Sequence, residues 1–248
     1  MPGHVLAGRI AHPRHSVTGY TAWACAWFLA GIVLVGCAFE PPSLSSCPVD
    51  DMPCTGLTWE ESVTTSSAPD RIGGSRNGDS FNDLCASNAV LVGFMGAYGT
   101  DCLVNGVDGI ARLEPQCAVA TLDRDSGELV HGDQTALPMR GICDPSDTLM
   151  FGSLACPAGQ VVSEVRGGDT PDRDNFANAL EITCTPVRQI DGDLQLGTPE
   201  IVDGTIGPGN IDQTSTCPDG QIAVGVSGRF GQVIDRLVLE CATVSPAP

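Results

Sequence analysis

The chain has no lysine. Its 248 residues carry 30 acidic groups against 12 basic ones, all of them arginine, for a formal net charge of −18. Without lysine there is no Schiff-base amine and no phosphate-binding lysine loop. The carboxylate excess also argues against binding nucleic acid or an anionic membrane surface through a basic patch. Past residue 36 there is one histidine, His131, in the polar stretch Leu129 to Gln134, so a nucleophile–histidine pair could be built only there. The expectation for His131 is a solvated loop residue. Gly225-Val226-Ser227-Gly228 lacks the spacing of a nucleophile elbow. No close CxxC pair offers a zinc site. With so many acidic side chains chance pairs come easily, but none is set in surroundings that would split two pKa values. The chain therefore reads as a non-enzyme with no metal and no cofactor.

Two further scarcities bear on the fold. Helical periodicity is absent throughout, and aromatic residues make up only 5% of the chain, so the core must be aliphatic and modest. What is present is short-strand grammar, with Gly and Pro at frequent spacing. Between Cys217 and Cys241, Ile222, Val224 and Val226 alternate with small or polar residues, Gly228 and Gly231 bracket a turn, and Leu237, Leu239 and Cys241 alternate again. This is a hairpin with one buried face. Cys85 to Cys117 repeats it, with Val90, Val92, Gly93, Phe94, Gly96 and Gly99 in ungapped step. Cys156 to Cys184 does so with Val161, Val165 and Gly167. The three stretches close alike, as Leu113-x-Pro115-x-Cys117, Leu180-x-Ile182-x-Cys184 and Leu237-x-Leu239-x-Cys241. A supersecondary unit repeated three times sets the architecture.

Residues 1–36 hold Arg9 and Arg14 but no acid, and Thr21 to Val35 is almost wholly apolar. That run suits the core of an export signal better than a membrane span of about 20 residues. Leu34-Val35-Gly36-Cys37 resembles the lipobox of bacterial lipoproteins, which implies cleavage before Cys37 and acylation there, a stable anchor when several chains are attached. Ala38 after the Cys is the pattern that implies the outer membrane in bacteria with two membranes. Cys25 then leaves with the signal and Cys37 carries lipid. Ten of the 12 cysteines remain for an oxidising compartment. Ten cysteines pair in about nine hundred ways, but if each repeat closes on itself the pairs are Cys85–Cys117, Cys156–Cys184 and Cys217–Cys241. Cys47–Cys54 then closes a small loop, and Cys102 is left for Cys143.

Residues 37–70, rich in Pro, Ser and Thr, read as a tether between the lipid and a domain spanning 71–248. Two acidic stretches gather oxygen ligands: Asp123, Asp125 and Glu128, and Asp169, Asp172 and Asp174. Neither fits an EF-hand loop, and both read as solvated loops.

The opening of the domain, Gly73-Gly74-Ser75, Gly78 and Phe81-Asn82-Asp83, resembles the glycine-rich start of jacalin-related lectins. The order Gly225, Gly228, Gly231, Asp235 is similar to their final hairpin. Vitelline-membrane outer-layer proteins share that fold. The resemblance implies an all-β, disulfide-stapled β-prism, with three Greek-key sheets about a pseudo-threefold axis. It also implies a sugar site where a GxxxD turn meets the opening loop, here Gly231, Gln232, Val233 and Asp235 with Gly73 and Gly74. Glycine lets backbone approach a ligand, and an ionised Asp accepts hydroxyl hydrogen bonds strongly. Gln232 stands where many members of the family have an aromatic, and only the third hairpin has Asp at this position, so one site is expected. The implied function is a lipid-anchored, non-catalytic module at the bacterial cell surface that binds a neutral glycan or envelope polysaccharide. The alternative is a structural or protein-interaction lipoprotein.

Overall fold

A computed structural model describes residues 54–59, 64–65, 71–74, 78–99, 109–143, 149–169 and 176–247, and the regular structure among them is entirely β. In chain order the strands are β1 (Cys54–Trp59), β2 (Thr64–Thr65), β3 (Ile72–Gly73), β4 (Asp79–Leu84), β5 (Ala89–Gly99), β6 (Gly109–Asp123), β7 (Leu129–Ala136) and β8 (Met150–Ala155). They continue as β9 (Gln160–Asp169), β10 (Ala177–Ile190), β11 (Asp193–Leu196), β12 (Glu200–Ile201), β13 (Gln213–Thr216), β14 (Ile222–Phe230), β15 (Ile234–Ala242) and β16 (Val244–Pro246).

The three repeats form the antiparallel hairpins β5–β6, β9–β10 and β14–β15. Each hairpin builds a sheet: β16-β1-β6-β5-β8 with β7 also on β6, β11-β10-β9-β13 with β12 also on β10, and β2-β15-β14-β4 with β3 also on β15. The expectation of one buried face holds for Leu237, Leu239 and Cys241 but not for the first strands: a bulge at Val224 puts Ile222 and Val224 in a second cluster with Val90, Val92 and Val161, while Val226 joins the shared core. Phe94 and Leu113 of the first sheet, Val165 and Leu180 of the second, and Val226 and Leu237 of the third meet in one cluster. Three sheets around a shared core make a β-prism.

The sheets exchange strands in a ring. β4 precedes the first hairpin but pairs with β14 of the third; β8 precedes the second but pairs with β5 of the first; β13 precedes the third but pairs with β9 of the second. A half-cystine follows each of these lead strands, and the bonds Cys85–Cys117, Cys156–Cys184 and Cys217–Cys241 run from it to the second strand of the hairpin ahead. The disulfides expected from the repeats thus staple the three sheets to one another, each contributing about 2–4 kcal/mol.

The amide of each of those half-cystines needs an acceptor, and a bulge supplies it. The hairpin ladders skip Val92, Ser163 and Val224. The freed carbonyls of these residues accept the N–H groups of Cys156, Cys217 and Cys85 at 2.8, 2.9 and 2.8 Å. Cys143 is also disulfide-bonded. Its expected partner Cys102, the expected pair Cys47–Cys54 and the lipid-bearing Cys37 lie outside what is described.

Two expectations change. The stretch read as a tether contains β1, which pairs with β6 and β16 and so belongs to the first sheet. Its Leu57 and Trp59 are buried against Val90 and Ile222, and the Trp59 indole N–H donates to Ala89 O at 2.9 Å and to Ala86 O at 3.1 Å. Two large apolar groups in six residues are too few to show as periodicity, yet enough to cover one end of the core. His131, expected in a solvated loop, is buried on β7. Desolvation holds its imidazole below the usual histidine range, against a hydrogen bond with the Gln160 backbone, and Nε2 has no partner.

Candidate functional site

Each hairpin carries a second bulge, toward its turn. The ladders skip Ala111, Asn178 and Asp235, which stand at matching positions in the three units. Over each bulged carbonyl lies a glycine with positive φ: Gly141 at 89° on Ala111, Gly207 at 92° on Asn178 and Gly73 at 81° on Asp235. A side chain there would be strained by φ and would run into the carbonyl, so only glycine serves. In the third unit Gly74 N–H donates to Asp235 O at 2.9 Å, while Gly73 N–H donates to Gln213 Oε1 at 2.7 Å. Gly73 and Ile72 pair with Arg236 and Leu237. The glycine-rich opening and the last hairpin are therefore brought together, across most of the domain's sequence.

The Asp235 side chain is 4% exposed. A Cβ on Gly78 would run into its Oδ2 and into Phe230 O, and a Cβ on Gly231 would touch Oδ2 at 3.7 Å. The carboxylate thus sits between two glycines from opposite ends of the domain. Gly231 N–H donates to Val233 O at 2.9 Å and closes the turn. Gln232 projects into solvent, while its carbonyl accepts Cys143 N–H at 3.2 Å. Val233 turns its side chain inward, where it is 1% exposed and packs with Ala111, Cys143 and Phe176. Phe230 is half-buried, with its ring edge-to-face on Phe81 at 5.9 Å and Arg140 lying over both rings.

Of the matching bulges, Ala111 has no polar side chain. Asn178 Nδ2 donates to Asp169 O at 2.9 Å, and its buried Oδ1 has no partner. The third hairpin alone puts a carboxylate at this position. Gly78 and Gln213 escaped the site assignment made from sequence. Gly78 stands in the opening motif, so a signal for it existed, whereas nothing local marks Gln213.

The acidic loop at Asp123 is satisfied by its own turn. The carboxylate accepts the N–H groups of Asp125 and Ser126 at 3.0 and 2.8 Å and the Ser126 hydroxyl at 3.0 Å. The Ser126 hydrogen bonds hold it below the usual carboxylate range. Glu128 pairs with Arg188 at 2.8 Å. Among the described residues no three potential ligands gather around a metal position. Asp172 and Asp174 lie outside those residues.

No family model and no curated protein matches the chain. Solved structures similar to it include a Malaysian banana lectin (13% identity, 70% of this chain and 95% of that one, TM-score 0.42). They also include Calystegia sepium agglutinin (15%, 79% and 99%, TM-score 0.39). A mannose-specific jacalin-related lectin from Morus nigra, in complex with mannose, is another (12%, 80% and 99%, TM-score 0.39). Likeness of this degree concerns the fold alone, and the β-prism stands on the three sheets of this chain.

Proposed function

We propose that the chain is a non-catalytic, lectin-like module that binds a glycan where the opening loop meets the last hairpin. The observation that carries this reading is the pairing of two distant glycine segments around one carboxylate. Gly78 and Gly231 stand against Asp235 Oδ2, while Gly73 and Gly74 are buried on its main-chain carbonyl and hold the opening loop there. The absence of side chains at Gly78 and Gly231 lets a sugar ring come close to the backbone, with Asp235 as the acceptor for its hydroxyls. Export and acylation at Cys37 would hold the module on the outer membrane of a bacterial envelope. Intact mass of the protein taken from membranes, with and without Cys37→Ser, tests that part.

The burial of Asp235 favours a second reading, in which the carboxylate only holds the turn to the opening loop and the prism packs against envelope components. A glycan array on the oxidised chain, beside Asp235→Asn, separates the two. Binding to a defined sugar that is lost in a folded variant supports the lectin reading. No binding by well-folded wild type across neutral and acidic glycans leaves the packing role.

A further inference from the structure

Next to this site lies a feature at odds with the composition. Arg229 on β14 stands directly opposite Arg236 on β15, so both side chains lie on one face of the third sheet. Like charges in direct opposition are destabilising, and a chain with 30 acids and 12 bases has ample carboxylate to avoid them. A third arginine, Arg71, precedes Gly73, which pairs with Arg236 on its other side. Burial first, then the positive charges of Arg71 and Arg229, hold the Arg236 guanidinium below its usual range. Arg236 Nε is buried without a hydrogen-bond partner. Among the described residues the salt bridges engage Arg140, Arg166 and Arg188, and none reaches these three. Ser80 lies opposite Arg229 on the same face and completes a polar row across β4, β14 and β15.

All three arginines adjoin the proposed glycan site. Arg236 follows Asp235, Arg229 precedes the Phe230-Gly231 turn, and Arg71 leads into the glycine-rich loop. A guanidinium presents a planar fork of donors that matches a carboxylate or sulfate, and three of them with no carboxylate partner call for an anion from outside. We propose that the arginine face of the third sheet binds the acid groups of an anionic glycan, a uronate- or sulfate-bearing saccharide. Its neighbouring neutral unit reaches Asp235. The saccharide half of this proposal rests on the glycan reading of the Asp235 site; the anion half rests on the arginines alone. The rest of the surface, strongly acidic, repels polyanions and confines them to this face.

The test is binding of the oxidised full chain to polygalacturonate, dextran sulfate, neutral dextran and vesicles of phosphatidylglycerol at low and high salt. Wild type, Arg229→Gln with Arg236→Gln, and Asp235→Asn are compared. The expected result is retention by the two acidic polysaccharides but not by dextran, weakened by salt and reduced about tenfold or more in the arginine variant. That variant should melt at or above the wild-type temperature because a repulsion is removed, so lost binding cannot be ascribed to unfolding. Absence of polyanion binding at low salt overturns the proposal, as does binding unchanged in the arginine variant. Vesicle binding without polysaccharide binding overturns its saccharide half. Binding that needs the arginines but survives Asp235→Asn supports the anion face and counts against the Asp235 reading. Binding that needs Asp235 alone does the reverse.

Discussion

Ile72, Ile206 and Arg140 occupy the same place in the three units. Each precedes a positive-φ glycine, and each bridges the second strand of a hairpin, at Leu237, Leu180 and Leu113. The two isoleucines are fully buried. Ile206 lies over Gly96 and Gly152, and Ile72 over Gly167. In the third sheet the counterparts of Gly96 and Gly152 are Gly228 and Phe81, and a Cβ on Gly228 would meet the Phe81 ring at 3.1 Å. Phe81 fills the space that an isoleucine takes elsewhere. Arg140 instead runs over Phe81 and Phe230 and reaches Asp83 with two hydrogen bonds, Nε to Oδ2 at 2.7 Å and Nη2 to Oδ1 at 2.5 Å. The Asp83 hydrogen bond holds the guanidinium charged against the cost of burial. The difference shows how a pseudo-symmetric core admits a charge: a partner must come with it, and an aromatic surface must carry its stem.

Substitutions separate the two ways of filling the slot. Ile206→Ala should have the largest effect, about 3–4 kcal/mol lost in denaturant unfolding, because the slot between Gly96 and Gly152 has no other side chain to fill it. Asp83→Ala should cost less, about 2–3 kcal/mol by the same measurement. It strands a guanidinium whose side chain is 25% exposed, so water can recover part of the loss. The double change Arg140→Met with Asp83→Val should fall within about 1 kcal/mol of wild type, since a flexible thioether can lie on the two rings. A double variant as unstable as Asp83→Ala would show that the charge itself is needed.

Acid sharpens the contrast between a paired buried polar group and an unpaired one. His131 Nε2 is the unpaired case, and the imidazole has a depressed folded pKa. The folded state therefore keeps it neutral while the unfolded chain takes up a proton below about pH 6.5. Its contribution is unchanged above that pH and becomes a penalty as pH falls, by at most about 1.4 kcal/mol per unit until the folded pKa is reached. Unfolding free energy measured from pH 7.5 to 5 should show this loss, and His131→Leu should reduce the slope. An equal slope in the variant would place the sensitivity elsewhere.

Three hairpins, their closing disulfides and the all-β class were legible in the order of residues alone. Strand alternation, turn glycines and equal cysteine spacing are local signals, and repetition made each unit a check on the others. The same repetition marked Asp235 as the one acid among three matching positions. That Gly73 and Gly231 belong together was implied only by the resemblance to jacalin-related lectins.

Where those pieces go depends on pairing between distant strands. Lead strands are exchanged between sheets, so the partner of β4 lies in a hairpin that follows it by well over a hundred residues, and no local pattern encodes that pairing. For the same reason Leu57 and Trp59 read as tether until the end of the core they cover exists. Opposition of Arg229 and Arg236 depends on the register of β14 against β15, and a bulge at Asp235 shifts that register. Strand pairing and bulges are three-dimensional facts: one residue skipped in a ladder changes which side chains share a face, and the chain spells the residues without spelling the skip.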